Sequence, residues 1–234
     1  MKTKIFCDSA DYETIKHFNN KNIVDGFTTN PSLMRLSGAK NYRDYSLKIL
    51  KVCRKKPISF EVFADDEKSM YKQAKEISTW GKNVYVKIPV TNTRGVGCYN
   101  LIKKLSNENI KLNVTAIFTN NQVTKVINSL NMNTKSIISI FAGRIADTGI
   151  DPSLLISFCL KNLKLKKNKK CEVLWASTRE IYSIIAAEKL GCHIITVPNN
   201  ILSKINLIGK NLNSYSLETI KDFYKDAKSA GFKI

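Results

Sequence analysis

The sequence predicts a single (β/α)8 barrel of the α/β class, and three observations lead to that prediction. Apolar runs of strand length recur eight times, and nearly every gap between them holds a segment with helical spacing of apolar residues. Strands that alternate with helices pair in parallel through right-handed crossovers. At 234 residues, closing eight such strands into a barrel is the economical arrangement.

The predicted strands and helices follow one another along the whole chain. The strands span Lys4–Asp8, Ile23–Thr28, Ile58–Phe63, Val84–Ile88, Leu112–Phe118, Ser136–Phe141, Cys171–Ala176 and His193–Val197. The helices span Asp11–Asn20, Lys40–Arg54, Asp66–Trp80, Gly97–Leu105, Asn120–Leu130, Asp151–Leu165, Thr178–Leu190 and Asn200–Leu207.

A last helix, at about 216–230, follows the eighth unit, with Ser216 as its predicted N-cap. Leu217, Ile220, Phe223 and Ala227 form its apolar stripe. A closed barrel already buries its own strands and helices. The stripe therefore predicts contact with another subunit or, alternatively, a fold back onto the barrel.

A doubly wound open sheet is the alternative fold. Against it, no Gly-x-Gly-x-x-Gly motif follows the first strand, where a dinucleotide-binding fold needs one. The chain shows no interdomain linker and no repeat beyond the strand–helix unit. Residues 1–234 are therefore predicted to form one domain.

The composition excludes several classes of protein. No window is apolar for long enough to span a bilayer, and the N-terminus lacks the apolar segment of a signal peptide, which predicts a cytoplasmic protein. The six cysteines lack CxxC spacing and are typical of reduced, buried thiols. Two histidines are too few for a multi-histidine metal centre. A metal centre of that kind is therefore not expected.

The net charge of +19 raises the question of nucleic-acid binding. The lysines are spread along the whole chain, and the densest run, Lys161–Lys170, has no interleaved aromatic residues to stack on bases. We interpret that run as the solvated end of a helix, so a nucleic-acid partner is not expected. A positive field still favours small anionic substrates such as sugar phosphates.

Polar side chains collect at the predicted C-terminal ends of the strands, where barrel enzymes place their chemistry. They include Asp8, Thr28, Asn30, Glu61, Lys87, Asn113, Thr115, Ser139, Arg144, Ser177 and Arg179. A lone strand lysine such as Lys87 could extend to solvent. So many polar residues at one end favour instead a lysine in a partly dry cavity, whose neutral amine can form a Schiff base with a carbonyl.

Five segments of the chain resemble the transaldolase family, Schiff-base aldol-transfer enzymes built on a (β/α)8 barrel. They are Cys7–Asp11, Gly26–Leu33, Val86–Thr91, Asn113–Thr115 and Ser139–Ile145. The resemblance covers nearly the whole chain, and its second and third segments are the most specific.

The resemblance implies four catalytic residues and a reaction that needs neither a metal nor an organic cofactor. Lys87 is expected to form the Schiff base with C2 of a ketose phosphate, and Asp8 to exchange the proton of the C4 hydroxyl. Glu61 and Thr115 match the pair that holds a catalytic water. Residue by residue, Asp8 could instead cap a helix, although Asp11 is better placed to do so, and Glu61 could be only a buried partner of Lys87.

The resemblance also implies contacts with the substrate. The expected substrate-binding residues are Thr28, Asn30, Asn113, Ser139, Phe141, Arg144, Ser177 and Arg179. Among them, the two arginines and Ser177 correspond to the phosphate clamp. Asn30 could be only a turn residue, and Arg179 only a surface residue.

Three positions bear on the type of reaction. Relatives that release free dihydroxyacetone, the fructose 6-phosphate aldolases, tend to carry glutamine at Glu61, tyrosine at Phe141 and lysine at Arg179. The resemblance therefore implies transfer of a dihydroxyacetone unit from sedoheptulose 7-phosphate or fructose 6-phosphate to an aldose phosphate, as in the pentose phosphate pathway. The alternatives are a fructose 6-phosphate aldolase or another sugar-specific aldolase, and a catalytically silent barrel that binds a polyanion.

The chain departs from the family pattern near the seventh strand. Trp175, Thr178 and Glu180 are expected to change the bulk and charge around the phosphate site, which leaves the acceptor sugar open. Compact members of the family assemble into ring-like oligomers through the terminal helix. The resemblance thus also implies a homo-oligomer.

Overall fold

The apolar runs form eight parallel strands that close into a barrel in the computed structural model, which describes all 234 residues. Each strand pairs with the next along the chain, and the eighth pairs with the first. The strands are β1 (Lys4–Asp8), β2 (Gly26–Thr28), β3 (Ile58–Glu61), β4 (Val84–Pro89), β5 (Leu112–Ile117), β6 (Ser136–Ile140), β7 (Cys171–Trp175) and β8 (Ile194–Pro198). The predicted fold class is confirmed.

Helices surround the barrel, and side-chain caps in the sequence set several of their starts. Asp11, Asn41, Asp66 and Thr119 each accept a hydrogen bond from a backbone amide of the first turn. The helices are α1 (Tyr12–Asn19), α2 (Pro31–Leu36), α3 (Tyr42–Val52), α4 (Glu67–Ser78), α5 (Tyr99–Asn107), α6 (Asn120–Ser129), α7 (Ala142–Ala146), α8 (Ser153–Leu165), α9 (Tyr182–Leu190), α10 (Asn199–Leu202) and α11 (Leu212–Ser229), with a 3-10 turn at Ile205–Leu207.

The second strand is shorter than predicted. It starts at Gly26; just before it, the Asp25 carboxylate accepts a hydrogen bond from the Ile5 amide at 2.9 Å, and the Asp25 amide donates one to the Ile5 carbonyl oxygen at 2.7 Å. Helices α2 and α7 were not predicted, since six and five residues are too few to show a 3.6-residue period.

Two predicted helix starts are wrong. Helix α9 begins at Tyr182 rather than at Thr178, because the chain after β7 first passes through a loop in which Ser177 is left-handed, with φ of 64°. Helix α11 begins at Leu212 rather than at Ser216. Its N-cap is Asn211, whose side chain accepts a hydrogen bond from the Ser214 amide at 3.1 Å.

The core has two parts. The larger part lies between the outer faces of the strands and the helices. The smaller part, which we call the interior cluster, fills the inside of the barrel and consists of Phe6, Tyr85, Ile137, Leu174, Ala176 and Ile194. Gly26 makes room for it, because a Cβ there would lie 2.6 Å from the Phe6 ring and 2.8 Å from the Pro57 carbonyl oxygen.

The terminal helix α11 contributes nothing to this core. None of its residues is buried, and Leu217, Ile220 and Phe223 are 53%, 60% and 69% exposed. The predicted alternative, in which the stripe folds back onto the barrel, is therefore wrong.

No helix in the structure has the length and apolar character needed to cross a membrane. All six cysteines are free and buried, as predicted.

Candidate active site

Alternation along the strands turns polar side chains inward at the C-terminal end of the barrel. Successive residues of a strand face opposite sides, so the residue two positions after an inward-facing one also faces inward. Residues of the interior cluster are followed in this way by polar residues in four strands: Phe6 by Asp8, Tyr85 by Lys87, Ile137 by Ser139 and Ile194 by Thr196. The interior of the barrel is thus apolar in its middle, where the interior cluster lies, and polar toward the C-terminal ends of the strands.

Lys87 lies inside the barrel and does not extend to bulk solvent. Its side chain is 8% exposed, and its Nζ atom lies 3.0 Å from Glu61 Oε2. The same nitrogen donates a hydrogen bond to the Thr29 carbonyl oxygen at 2.8 Å. The amine is therefore held between a carboxylate and a carbonyl, with Glu61 and Lys87 directly paired in the β3–β4 register.

Asp8 occupies the end of β1, where it lines the same cavity as Lys87. Thr28 Oγ1 donates a hydrogen bond to Asp8 Oδ1 at 2.7 Å and is itself hydrogen-bonded to the Thr196 hydroxyl. Burial raises the pKa of Asp8 above its ordinary value; the Thr28 hydrogen bond and the charge of Lys87 oppose that rise only in part. Asp11, and not Asp8, caps α1.

A chain of hydrogen bonds links three strands beside Lys87. Asn113 is fully buried; its Nδ2 donates to Ser59 Oγ at 3.0 Å, while Ser139 Oγ donates to Asn113 Oδ1 at 2.7 Å. This chain fixes the orientation of the Asn113 amide and leaves Ser139 on the wall of the cavity.

Thr115 differs from its neighbours because its buried hydroxyl has no hydrogen-bond partner within the protein. It precedes an irregularity of β5, where the pairing with β6 shifts between Val114 and Ile117 and Ala116 has a φ of 60°. A bulge re-aims nearby side chains. Thr115 is one of the residues that line the cavity of Lys87 and Asp8.

The rim of the cavity holds two arginines in different states. Arg179 forms an ion pair with Asp147, with a closest distance of 2.6 Å, and both side chains are half exposed. Arg144 forms no ion pair, and its guanidinium group lies 5.5 Å from the centre of the Phe141 ring. The hydrogen bonds from Arg179, and after them its charge, hold the pKa of Asp147 below its ordinary value.

Gly143 allows the rim to close. A Cβ at this position would lie 1.6 Å from the Ser177 carbonyl oxygen, so only glycine fits beside the left-handed backbone of Ser177. Gly143 N also donates a hydrogen bond to the Ala176 carbonyl at 3.2 Å. The start of α7 is thereby held against the loop that follows β7.

The cavity has a volume of 250 Å³ and is lined by ten of the twelve residues predicted for the site. The lining members are Asp8, Thr28, Asn30, Lys87, Thr115, Ser139, Phe141, Arg144, Ser177 and Arg179. Glu61 and Asn113 do not line it, and they act behind it through Lys87 and Ser139. Asn30 has two roles, since its side chain also caps α2 by accepting a hydrogen bond from Leu33 N at 2.9 Å.

Four residues of this region were not predicted. Thr196 and Ser59 are inward-facing partners of Thr28 and Asn113, and continued alternation along β8 and β3 could have indicated both. Tyr42 accepts a hydrogen bond from the Glu61 amide at 2.9 Å. Asp147 pairs with Arg179. Tyr42 belongs to helix α3 and Asp147 directly follows α7, so the strand pattern gives no signal for either.

The residues near β7 that differ from the family pattern affect the cavity less than expected. Trp175 belongs to the outer core and does not line the cavity, so the expectation that its bulk alters the phosphate site is wrong. Glu180 is exposed and also outside the lining. Thr178 does line it, and its hydroxyl donates to the Thr196 carbonyl at 2.7 Å.

Comparison with known proteins adds a family to this geometry. The family model described as "Transaldolase/Fructose-6-phosphate aldolase" matches residues 5–234. The chain belongs to this family. No group of three or more His, Cys, Asp or Glu side chains is arranged to hold a metal ion.

Relatives of the transaldolase/fructose-6-phosphate aldolase family are similar over most of their length. The chain is 38% identical over 204 residues to the probable transaldolase of Methanococcus vannielii, covering 86% of this chain and 89% of the relative. It is 35% identical over 223 residues to the probable transaldolase of Nitrosopumilus maritimus, covering 95% of each. These names indicate a transaldolase-type enzyme, a transferase.

Solved structures that resemble the chain support the fold alone. The 3-hexulose-6-phosphate synthase of Salmonella typhimurium superposes with a TM-score of 0.58 at 14% identity, over 87% of this chain and 91% of that one. KGPDC from Streptococcus mutans gives 0.57 at 11% identity, over 88% and 92%.

Proposed function

We propose that the chain transfers a dihydroxyacetone unit from sedoheptulose 7-phosphate or fructose 6-phosphate to an aldose phosphate, through a Schiff base at Lys87. The observation that supports this most directly is the position of the Lys87 amine. It is buried, lies 3.0 Å from the Glu61 carboxylate, and opens onto the cavity that Asp8 lines. We assign this reaction to the pentose phosphate pathway, in the cytoplasm.

In the proposed reaction the neutral Lys87 amine attacks the C2 carbonyl of the ketose phosphate. Glu61 lies close enough to accept the proton that the ammonium must lose first. The carbinolamine then loses water to form a protonated imine. The unpaired hydroxyl of Thr115, together with Glu61, is suited to hold that water and to pass its protons.

Asp8 is the proposed acid and base of the carbon–carbon bond cleavage. It takes the proton of the C4 hydroxyl, the C3–C4 bond breaks, and the electron pair moves onto the imine to give an enamine. The shortened aldose phosphate leaves. The enamine then attacks the carbonyl of the acceptor, Asp8 returns the proton, and water releases the lengthened ketose phosphate from Lys87.

The remaining lining groups suit the two ends of such a substrate. Asn30 and Ser139 line the cavity, and Asn113 lies behind Ser139, hydrogen-bonded to it; these three are the proposed partners of the dihydroxyacetone hydroxyls. The rim cations Arg144 and Arg179, with Ser177, are the proposed phosphate clamp, because arginine meets phosphate with a permanently charged, bidentate group.

Borohydride trapping tests the Schiff base. In the presence of fructose 6-phosphate, reduction should give a protein with one added dihydroxyacetone unit, and peptide mapping should locate the adduct at Lys87. Lys87→Ala should lose both adduct and turnover, whereas Lys68→Ala, at an exposed position of α4, should keep both. An adduct at another residue, or an active Lys87→Ala enzyme, contradicts the proposal.

Phe141 provides a test of transfer against simple aldol cleavage. Its side chain lines the cavity, and its ring lies 5.6 Å from that of Phe118, which does not. Phe141→Tyr adds a hydroxyl beside the proposed proton relay and should raise free dihydroxyacetone relative to transfer product. Phe118→Tyr is the matched control. Equal product ratios in the parent and Phe141→Tyr would show that this position does not decide the reaction type.

We also propose that α11 mediates a ring-like homo-oligomer. Its apolar stripe, Leu217, Ile220 and Phe223, is exposed although the barrel is already closed. Phe223→Asp should give smaller particles in light scattering, whereas Lys225→Asp on the same helix should not. Full-length protein that runs as a monomer of 26.5 kDa would refute the assembly.

A further inference from the structure

A second and larger cavity, of 1120 Å³, opens at the opposite end of the barrel. It is lined by the loops that lead into the strands, and we call it the basic cavity. Ten of its 23 lining residues are Lys or Arg, against 38 of 234 in the whole chain. The basic residues of the protein are thus concentrated here.

The repeating unit of the fold brings these lysines together. Lys111, Lys135 and Lys170 each immediately precede a strand, β5, β6 and β7 respectively. Lys4 opens β1, while Lys55 and Lys82 lie shortly before β3 and β4. Because the strand starts form a closed ring, residues that are far apart in sequence surround one opening. The lysines come from six of the eight strand starts.

The positive charge of the basic cavity is almost without negative charge to balance it. Glu172 is its only acidic lining residue, and it pairs with Lys4 at 2.8 Å. No other basic residue of the lining takes part in an ion pair. Burial, and next the charge of Lys135, lower the pKa of Lys111. Repulsion of this kind is relieved by a multivalent anion.

The floor of the basic cavity separates it from the candidate active site. Phe6, Tyr85 and Ile137 of the interior cluster line it, and they are 2%, 8% and 1% exposed. The two cavities share no lining residue. A ligand in the basic cavity would therefore be distinct from the substrate.

The chemistry of the lining narrows the class of ligand. Lysine ammonium groups are flexible point charges that suit phosphate oxygens without demanding one geometry. The floor aromatics are too deeply buried to offer a face on which a base could stack. The volume exceeds the common range for small-molecule sites, roughly 300–1,000 Å³. A ligand with several linked phosphates matches these features better than a single phosphate or a nucleobase.

We propose that the basic cavity binds a polyphosphate group, either inorganic polyphosphate or the triphosphate of a nucleotide, recognised through its phosphates alone. The strand-start lysines contact the phosphate oxygens. The site acts independently of the Lys87 chemistry.

Isothermal titration of the full-length protein with inorganic tripolyphosphate tests the proposal. We expect binding that weakens as the salt concentration rises to about 0.15 M, because screening is stronger there. Lys135→Glu with Lys170→Glu should weaken binding by roughly tenfold or more, since two charge-assisted contacts are lost. Both side chains are exposed, so folding should tolerate the change.

Two controls locate the site. Lys68→Glu with Lys72→Glu alters the net charge equally on the exposed face of α4, outside the cavity, and should leave the affinity unchanged. Arg144→Ala, at the other end of the barrel, should also leave it unchanged. An equal loss in the α4 pair indicates diffuse attraction, and a loss in Arg144→Ala indicates binding at the active site. Either result, or no binding at low salt, overturns the proposal.

Further probes distinguish the sources of the phosphates. Equal affinity for ATP and tripolyphosphate supports a site that reads the triphosphate alone, and preference for tripolyphosphate points to inorganic polyphosphate. Binding of ATP without binding of tripolyphosphate would overturn the proposal, because recognition would then rest on the nucleoside. Tighter binding of a single-stranded oligonucleotide with the same number of phosphates would overturn it in favour of nucleic acid.

Discussion

At the C-terminal end of the barrel, Lys87, Asp8 and Arg179 each have a partner at 3.0 Å or less. At the N-terminal end, nine of ten basic side chains have no ion-pair partner. Both ends are built from the same eight strands. They differ in where most of the charge lies: Asp8, Glu61 and Lys87 are inward-facing strand residues, whereas most of the basic residues at the N-terminal end belong to the loops that precede the strands.

This difference corresponds to two kinds of chemistry. Inside the strands, burial and fixed partners determine which group holds a proton, as with the raised pKa of Asp8. In the loops, long side chains keep their freedom, and their summed field attracts anions without fixing a reacting atom. The first arrangement suits catalysis, and the second suits binding of a ligand with several charges.

Asp8→Asn should have the largest effect on the catalytic end. If Asp8 is the acid and base, turnover should fall by roughly 10²- to 10⁴-fold, the usual contribution of such a group. The amide keeps an oxygen that can accept the hydrogen bond from Thr28. Steady-state transfer assays measure the loss, and turnover within a few-fold of the parent would remove Asp8 from the mechanism.

The same variant should be more stable than the parent at neutral pH. Burial raises the folded-state pKa of Asp8 above its ordinary value of about 3.9. The folded state is thus favoured while Asp8 is protonated, and this advantage is lost as pH rises through the folded-state pKa. Melting temperatures of Asp8→Asn and the parent should converge near about pH 3 and separate as the pH rises. A variant that is less stable at neutral pH would contradict this.

Arg144→Ala and Asp147→Asn should change the KM for phosphorylated sugars in opposite directions. Arg144 has no ion-pair partner, so Arg144→Ala should raise the KM for phosphorylated sugars by about 10- to 100-fold, as expected for one lost charge-assisted contact. Arg179 is already paired with Asp147. Asp147→Asn should therefore free it and lower that KM by roughly 1.4- to 5-fold, the size of an exposed pair.

Unphosphorylated fructose is the control substrate for both rim variants. Its slow turnover should change little, because it has no phosphate for either arginine. Parallel changes for fructose and fructose 6-phosphate would mean that the arginines support the fold and do not bind phosphate.

The residues of the catalytic end were predictable because they follow from two local rules. Strand alternation turns every second residue inward, and parallel strands bring their C-terminal ends to one edge. The expectation for Trp175 went against the same rule, because Leu174 and Ala176 face inward and Trp175 between them faces the outer core. Ser177 lies beyond the strand, where the left-handed backbone changes the direction of the chain, and it lines the cavity as predicted.

The basic cavity is not predicted, because lysines spread evenly along a sequence suggest an even distribution over the surface of the folded protein. A repeating fold breaks that equivalence: Lys111, Lys135 and Lys170 occupy the same place in successive units. Their common position before a strand was visible in the sequence. The run Lys161–Lys170 is solvated at the end of α8, as predicted, and four of its lysines also line the cavity.

The smallest predicted effect concerns the stability of the N-terminal end. Lys135 and Lys111 precede neighbouring strands, and the charge of Lys135 adds to burial in lowering the pKa of Lys111. Lys135→Gln removes that repulsion and should raise the melting temperature by about 1 °C at low salt. At about 1 M salt the Debye length falls to about 3 Å, and the difference should vanish. Lys68→Gln on α4 is the matched control and should show no gain. A lower melting temperature for Lys135→Gln would mean that packing of the aliphatic part of Lys135 stabilises the folded state by more than its repulsion of Lys111 destabilises it. The unbalanced charge would then not lower the stability of the protein.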